Sequence, residues 1–258
     1  MGDTKQPDYK LLLDTAVMAG QLMLASGAEV YRVEDTVERI LAVSGLKTRQ
    51  AYVTSTGFVV TLDDPSMDSM TVVRRIPSRD TNLNRIMLVN DISREFCDGK
   101  IDLETAFRRL KHLDASQYTR KQMELANIGV ASMFAIMFGG TAADVAMTAI
   151  VGVLLVLAMR MEKKLRMNAF FSTMISSVVI ALGSIFLSNI PGFPVNMDVL
   201  IVSAIMPIVP GAAFTTAIRD ILQGDYVSGG SKVLESLVKA MAIAIGVSVG
   251  MMMTGGLR

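Results

Sequence analysis

Residues 123–159 read MELANIGVASMFAIMFGGTAADVAMTAIVGVLLVLAM, a stretch in which Glu124 and Asp144 are the only ionised side chains. The chain of 258 residues holds 25 Lys+Arg and 24 Asp+Glu, and 17 of each fall before residue 123. The remainder is a series of apolar runs of about 17 to 23 residues, each long enough to cross a hydrocarbon layer of about 30 Å as a helix. The stretch therefore divides the chain into an α+β domain over residues 1–122 and an α-helical membrane domain over 123–258.

The runs place five transmembrane helices at about Met123–Gly140, Asp144–Met159, Met167–Leu187, Asp198–Ala217 and Lys232–Thr254. Only residues 140–143 turn between the first two, which makes them a tight hairpin. The connection after the second run carries Arg160, Lys163, Lys164 and Arg166, and the one after the fourth carries Arg219 and Lys232. The connections after the first and third, residues 140–143 and 188–197, contain no Lys or Arg. Cationic loops resist translocation, so the first pair faces the cytoplasm and the second pair faces outward. This predicts a multi-pass inner-membrane protein with its N-terminus cytoplasmic and its C-terminus outside. The single Cys97 excludes an intramolecular disulfide and suits a reducing compartment.

Function must come from groups that hydrocarbon rejects. Asp144 lies at the outer end of the hairpin, where it is either a helix cap with Thr141 or an ion-coupling carboxylate. Pro207, Pro210 and Gly211 fall in mid-run; each proline removes a backbone donor and predicts a kinked or unwound segment, either a packing kink or one able to offer polar groups to a solute. Thr215 and Thr216 lie one turn later. Glu235 and Lys239 are spaced for an intrahelical ion pair, with a place in a charged pathway as the alternative, and the hydroxyls of residues 168–177 suit helix packing in lipid.

In the N-terminal half, residues 8–25 read as a helix stopped by Gly27. Residues 28–44 form a second, with Val30, Val33, Val37, Ile40 and Leu41 as its apolar stripe. Residues 47–63, with a bend at Thr56-Gly57, and 70–76 read as the two strands of a β-hairpin, and 80–97 and 102–113 as helices. Net charge is +1, with no basic face for nucleic acid. One histidine, His112, and the lack of any nucleophile elbow, P-loop or zincin spacing leave no catalytic residue, cofactor or metal site to assign.

The order Ser26-Gly27-Ala28-Glu29, Arg32, Glu34, Thr36, then Thr56-Gly57, Arg75-Ile76, Asn82, Asn90, Ser93-Arg94, Gly139-Gly140, Asp144, Pro210-Gly211, Ile218-Arg219-Asp220, Gly224-Asp225 and Gly230 resembles the threonine/serine exporter family over nearly the whole chain. The resemblance implies a secondary exporter of small polar metabolites, threonine and serine first, with two-component relatives linked to dicarboxylates such as succinate. It implies the larger subunit of the split arrangement, with a small membrane partner subunit and a homo- or hetero-oligomeric assembly. Carried onto this sequence, it points to Ser26, Glu29, Arg32 and Glu34 as a cytoplasmic gate or docking surface. For the solute or ion pathway it adds Asp144, Pro210, Gly211, Arg219 and Asp220 to Pro207 and Thr215. The arginines are candidate carboxylate partners. The rival readings are a membrane-anchored ligand sensor, for which five spans and a broken helix are more than a tether requires, and a membrane enzyme, for which no nucleophile–base pair exists.

Overall fold

The computed structural model describes residues 8–114, 118–192 and 194–255. The chain divides into two compact units, Met1–Gln117 with Ala212–Val233, and Tyr118–Gly211 with Leu234–Arg258. Residues 212–233, assigned from sequence to the membrane half, thus group with the N-terminal part of the chain.

In the first unit, α1 (Tyr9–Ala25) starts at Asp8, whose carboxylate accepts from the Leu11 amide. It ends where Gly27 takes φ +80°, a left-handed stop that a side chain would strain. α2 (Val30–Ala42) buries all five residues of its predicted stripe. The segment read as one strand bent at Thr56-Gly57 is two strands: β1 (Thr48–Thr54) and β2 (Gly57–Asp64) pair antiparallel across Ser55-Thr56, and β3 (Met67–Arg75) adds beyond β2. The predicted hairpin is therefore a three-stranded meander in the order β1-β2-β3. Gly57 is obligatory at the turn, because a Cβ there would come within 2.4 Å of the Arg74 carbonyl oxygen. Phe58, Val60 and Leu62 alternate onto the core face of β2 and join Met23, Leu24 and the α2 stripe. α3 (Leu83–Cys97) and α4 (Leu103–Lys111) complete this core with Val89, Phe96 and Leu110.

In the second unit, α5 (Arg120–Met137) and α6 (Ala142–Leu165) form the predicted hairpin, turned by Gly139 at φ +78°. The cationic segment after residue 159 continues α6 rather than forming a loop, and the helix stops at Arg166 in the left-handed region. α7 (Ala169–Ser188) and α8 (Met197–Ile205) come next, and a single turn of 3-10 helix, Met206–Ile208, extends α8. Val209 is then extended, so the chain breaks before α9 (Gly211–Leu222), as the two prolines predict. α10 (Tyr226–Thr254) follows.

Three helices, α6, α7 and α10, are long and apolar enough to cross a membrane, and the broken pair of α8 and α9 makes a fourth if counted as one span. α5 is helical over 18 residues but opens with Arg120, Lys121 and Glu124. Val151, Leu155, Ile180, Leu200 and Ile243 form the core of this unit. α10 approaches α7 through small residues: a Cβ on Gly246 would lie 2.3 Å from the Met174 carbonyl oxygen, and one on Gly250 2.6 Å from the Ala181 Cβ.

Candidate functional site

The α1–α2 turn, Ser26-Gly27-Ala28-Glu29, is where candidate residues from distant parts of the sequence meet. Ser26 is fully buried; its hydroxyl donates to the Leu22 carbonyl at 2.6 Å and its own carbonyl accepts from the Asn82 amide at 3.1 Å. Glu29 occupies the N-cap position of α2 but makes no cap bond. Its buried carboxylate turns instead to two guanidiniums: Arg219 on α9, bonded directly, and Arg32, 3.4 Å away one turn along α2. The Arg219 and Arg32 side chains keep 58% and 40% of their exposure, against 8% for Glu29.

The cap that Glu29 leaves out comes from Asp220, 190 residues away, whose Oδ1 accepts from the Val30 amide at 3.1 Å. Orphan amides at a helix start need such an acceptor, and the positive dipole end suits an anion. Asp220 has no exposed surface. Its other oxygen accepts from Lys232 Nζ at 2.6 Å, and Lys232 also donates to the Ala28 carbonyl at 3.3 Å. The pair is thus a buried salt bridge with hydrogen bonds on both partners, the condition under which burying two charges is tolerated.

Two further carboxylates border this cluster. Glu34 Oε1 accepts from the Val53 amide of β1 at 2.9 Å; burial raises its pKa, and Asp225 and Glu38 push the same way. Asp225 comes after Gly224, which has φ +96°, in the α9–α10 turn. Its pKa is raised by burial and by the Asp220 charge, with Lys232 opposing. For Glu29, burial acts upward, but bonds from its own backbone and Arg219, with the charge of Arg32, more than offset it, and the pKa lies below the ordinary value.

The remaining predicted residues lie elsewhere. Asp144 is buried at the start of α6, and its carboxylate accepts from the Thr141 amide at 2.7 Å, the Thr141 hydroxyl at 2.8 Å and the Asn196 amide at 2.6 Å. It closes a reciprocal capping box and ties the α7–α8 connection to the α5–α6 hairpin. Pro207 sits in the 3-10 turn, Val209 and Pro210 form the break, and Gly211 opens α9. Thr215 is exposed on α9, its hydroxyl bonded to the Ala212 carbonyl at 2.9 Å.

Sequence reasoning counted Lys232 only as a loop cation that orients the spans, and did not select Glu162. The signal for Lys232 is a cation placed after Asp220 and Asp225 in an otherwise apolar region. Glu162 reads as part of a cationic connection, yet it is buried and accepts from the hydroxyls of Ser172 and Ser176 on α7. Among the described residues no group of three or more His, Cys, Asp or Glu side chains is placed to hold a metal ion.

A family model described as "Putative threonine/serine exporter" matches residues 14–254. A curated relative, the uncharacterized protein C16A10.01 of Schizosaccharomyces pombe, is 21% identical over 256 residues, which are 96% of this chain. The chain spans 30% of that relative's length. No solved structure matches.

Proposed function

The chain belongs to the threonine/serine exporter family, and from that membership we propose that it is a secondary exporter whose cytoplasmic face captures the carboxylate of a threonine or serine on Arg219 and Arg32. The observation that carries the reading is the carboxylate already held there. Glu29 holds the place between two half-exposed guanidiniums that a solute carboxylate would take. Arginine presents parallel donors matched to a carboxylate, so an arriving solute can replace Glu29 bond for bond.

Glu29 then acts as a resident competitor that keeps the arginines paired while the site is empty. Asp220 and Lys232 are positioning residues: they hold the Ala28–Val30 backbone, and with it Glu29, against α9. Glu34 and Asp225, with raised pKa values beside this cluster, suit an ammonium group or a transported proton.

We take α5, α6, α7, the broken α8–α9 pair and α10 as five crossings, with the N-terminus cytoplasmic and the C-terminus outside. The cationic residues 160–166 and the cation-free residues 188–197 support that orientation. The extended backbone at Val209-Pro210 is the point where solute passes between crossings. Asp144, its carboxylate satisfied by three donors, ties the outer ends of the helices.

Efflux of labelled threonine from loaded proteoliposomes tests the proposal, with serine and succinate as competing solutes. Arg219→Gln should reduce efflux about ten-fold or more, the scale set by losing a charge-assisted bond of about 1.5–3 kcal/mol, and Arg219→Lys should restore part of it. Wild-type efflux from Arg219→Gln would remove the assignment.

A further inference from the structure

The Arg120 end of α5 and the Leu165 end of α6 gather cations that the ion pairs there do not use up. Glu124 on α5 accepts from Arg120 of its own helix at 3.0 Å and from Arg160 of α6 at 2.7 Å. Lys163 and Lys164 come three and four residues after Arg160 and so share its side of α6, and Lys121 comes three residues before Glu124 on α5. All three lysines are exposed, and among the described residues none of them has an ion pair. Glu162, the other acid of this turn, is buried and bonded to Ser172 and Ser176 of α7. Glu124 is therefore the one carboxylate set among Arg120, Lys121, Arg160, Lys163 and Lys164. The helix then stops at Arg166, the one non-glycine residue with positive φ among the described residues, at 51°. Glycine holds such a turn without strain, so the sequence keeps an exposed cation there at a conformational cost.

The level of the patch indicates what meets it. α6 has 24 residues, about 36 Å at 1.5 Å per residue, against about 30 Å of hydrocarbon. A helix of that length carries its final turn into the headgroup layer. Met161 and Leu165, 65% and 66% exposed, lie beside the lysines on the same turn. Such an apolar rim suits acyl chains and not a soluble anion or an acidic protein surface. We infer that the patch binds the phosphate headgroup of an anionic phospholipid, with Lys121, Lys163, Lys164 and Arg166 toward the phosphate and Met161 and Leu165 against the chains. The inference rests on the proposed reading of α5 and α6 as crossings and uses none of the transport assignment. Each basic side chain beside a membrane helix favours anionic lipid by about five-fold in affinity.

The test uses the full-length protein in a neutral detergent, titrated with dioleoylphosphatidylglycerol or dioleoylphosphatidylcholine, with native mass spectrometry reading the affinity of the first lipid bound. Phosphatidylglycerol should bind at least about five-fold more tightly. Lys163→Gln with Lys164→Gln should abolish the preference, Lys163→Arg with Lys164→Arg should keep it, and Lys10→Gln on α1 should leave it unchanged. Arg166→Gly should weaken phosphatidylglycerol binding while raising the melting temperature; a residue that only ends the helix would give the second effect alone. Equal affinity for the two lipids, a preference that survives loss of both lysines, unchanged phosphatidylglycerol binding by Arg166→Gly, or displacement of the lipid by inorganic phosphate would each overturn the inference. Val153→Cys on a Cys97→Ser background, treated with a water-soluble maleimide in proteoliposomes, tests the crossing separately. Labelling there would remove both the crossing and the lipid site, whereas protection combined with equal lipid affinities would remove the lipid site alone.

Discussion

Replacing Asp220 by Asn removes the charge that Lys232 faces while keeping an oxygen for the Val30 amide. Asp220 is fully buried and the Lys232 side chain retains 9% exposure, so neither charge is well screened by water. Breaking a buried pair from one side costs about 3–5 kcal/mol; Asp225, whose carboxylate also feels the Lys232 charge, should recover part of this, leaving about 3 kcal/mol. At about 2–4 °C per kcal/mol for a chain of this size, the unfolding midpoint falls by roughly 6–12 °C. Asp220→Ala also removes the acceptor at the start of α2 and should lose about 1 kcal/mol more. Lys232→Met should cost as much as Asp220→Asn, but the double variant should recover most of the loss, because removing both charges of a buried pair is close to neutral. Thermal unfolding of the detergent-purified protein, run as a double-mutant cycle, measures this. Additive losses, or single losses under about 1 kcal/mol, would refute the view that these side chains form one buried unit.

The same geometry sets other outcomes. The raised pKa of Glu34 means that the folded protein holds its proton to higher pH than the unfolded chain, so stability falls as pH rises from the ordinary carboxylate range, about 4.3, through the raised folded value. Glu34→Gln keeps the oxygen for the Val53 amide and should raise the midpoint above that window while leaving it unchanged below; a pH series of melting curves reads this. Gly246→Val forces side-chain atoms onto the Met174 carbonyl, which a Cβ would already approach to 2.3 Å, and should destabilise by about 1–3 kcal/mol. Gly230→Ala, in the same helix with nothing within 4 Å of the new Cβ, should instead stabilise by about 0.5–1 kcal/mol. Ser172→Ala with Ser176→Ala strips two hydroxyl donors from buried Glu162 and should lower the melting temperature measurably, at about 1–3 kcal/mol for each donor removed.

Features controlled by local chemistry were legible in the sequence. Gly27 stops α1, the stripe on α2 is buried as spaced, Thr141 and Asp144 cap α6, and Pro207 and Pro210 break the helix that contains them. The features that escaped depend on partners far along the chain. Ser55-Thr56 carries none of the Asn-Gly or Asp-Gly chemistry that marks a hairpin turn, so Gly57 reads as a bend within one strand rather than a turn between β1 and β2. Apolar α9 has the composition of a membrane run, and only tertiary contacts group residues 212–233 with the N-terminal unit. The members of the candidate cluster are only partly legible in the sequence. Glu29, Arg32, Arg219 and Asp220 were each selected, but no spacing rule joins Asp220 to the Val30 amide or brings Lys232 to the Ala28 carbonyl.

In the proposed capture step Glu29 competes with solute carboxylate for Arg219 and Arg32, and equilibrium binding of labelled threonine to the purified protein at neutral pH measures that competition. Removing the resident anion with Glu29→Gln should tighten binding, while Arg219→Gln should abolish it. Weaker or unchanged binding by folded Glu29→Gln would mean that Glu29 is no competitor for these arginines.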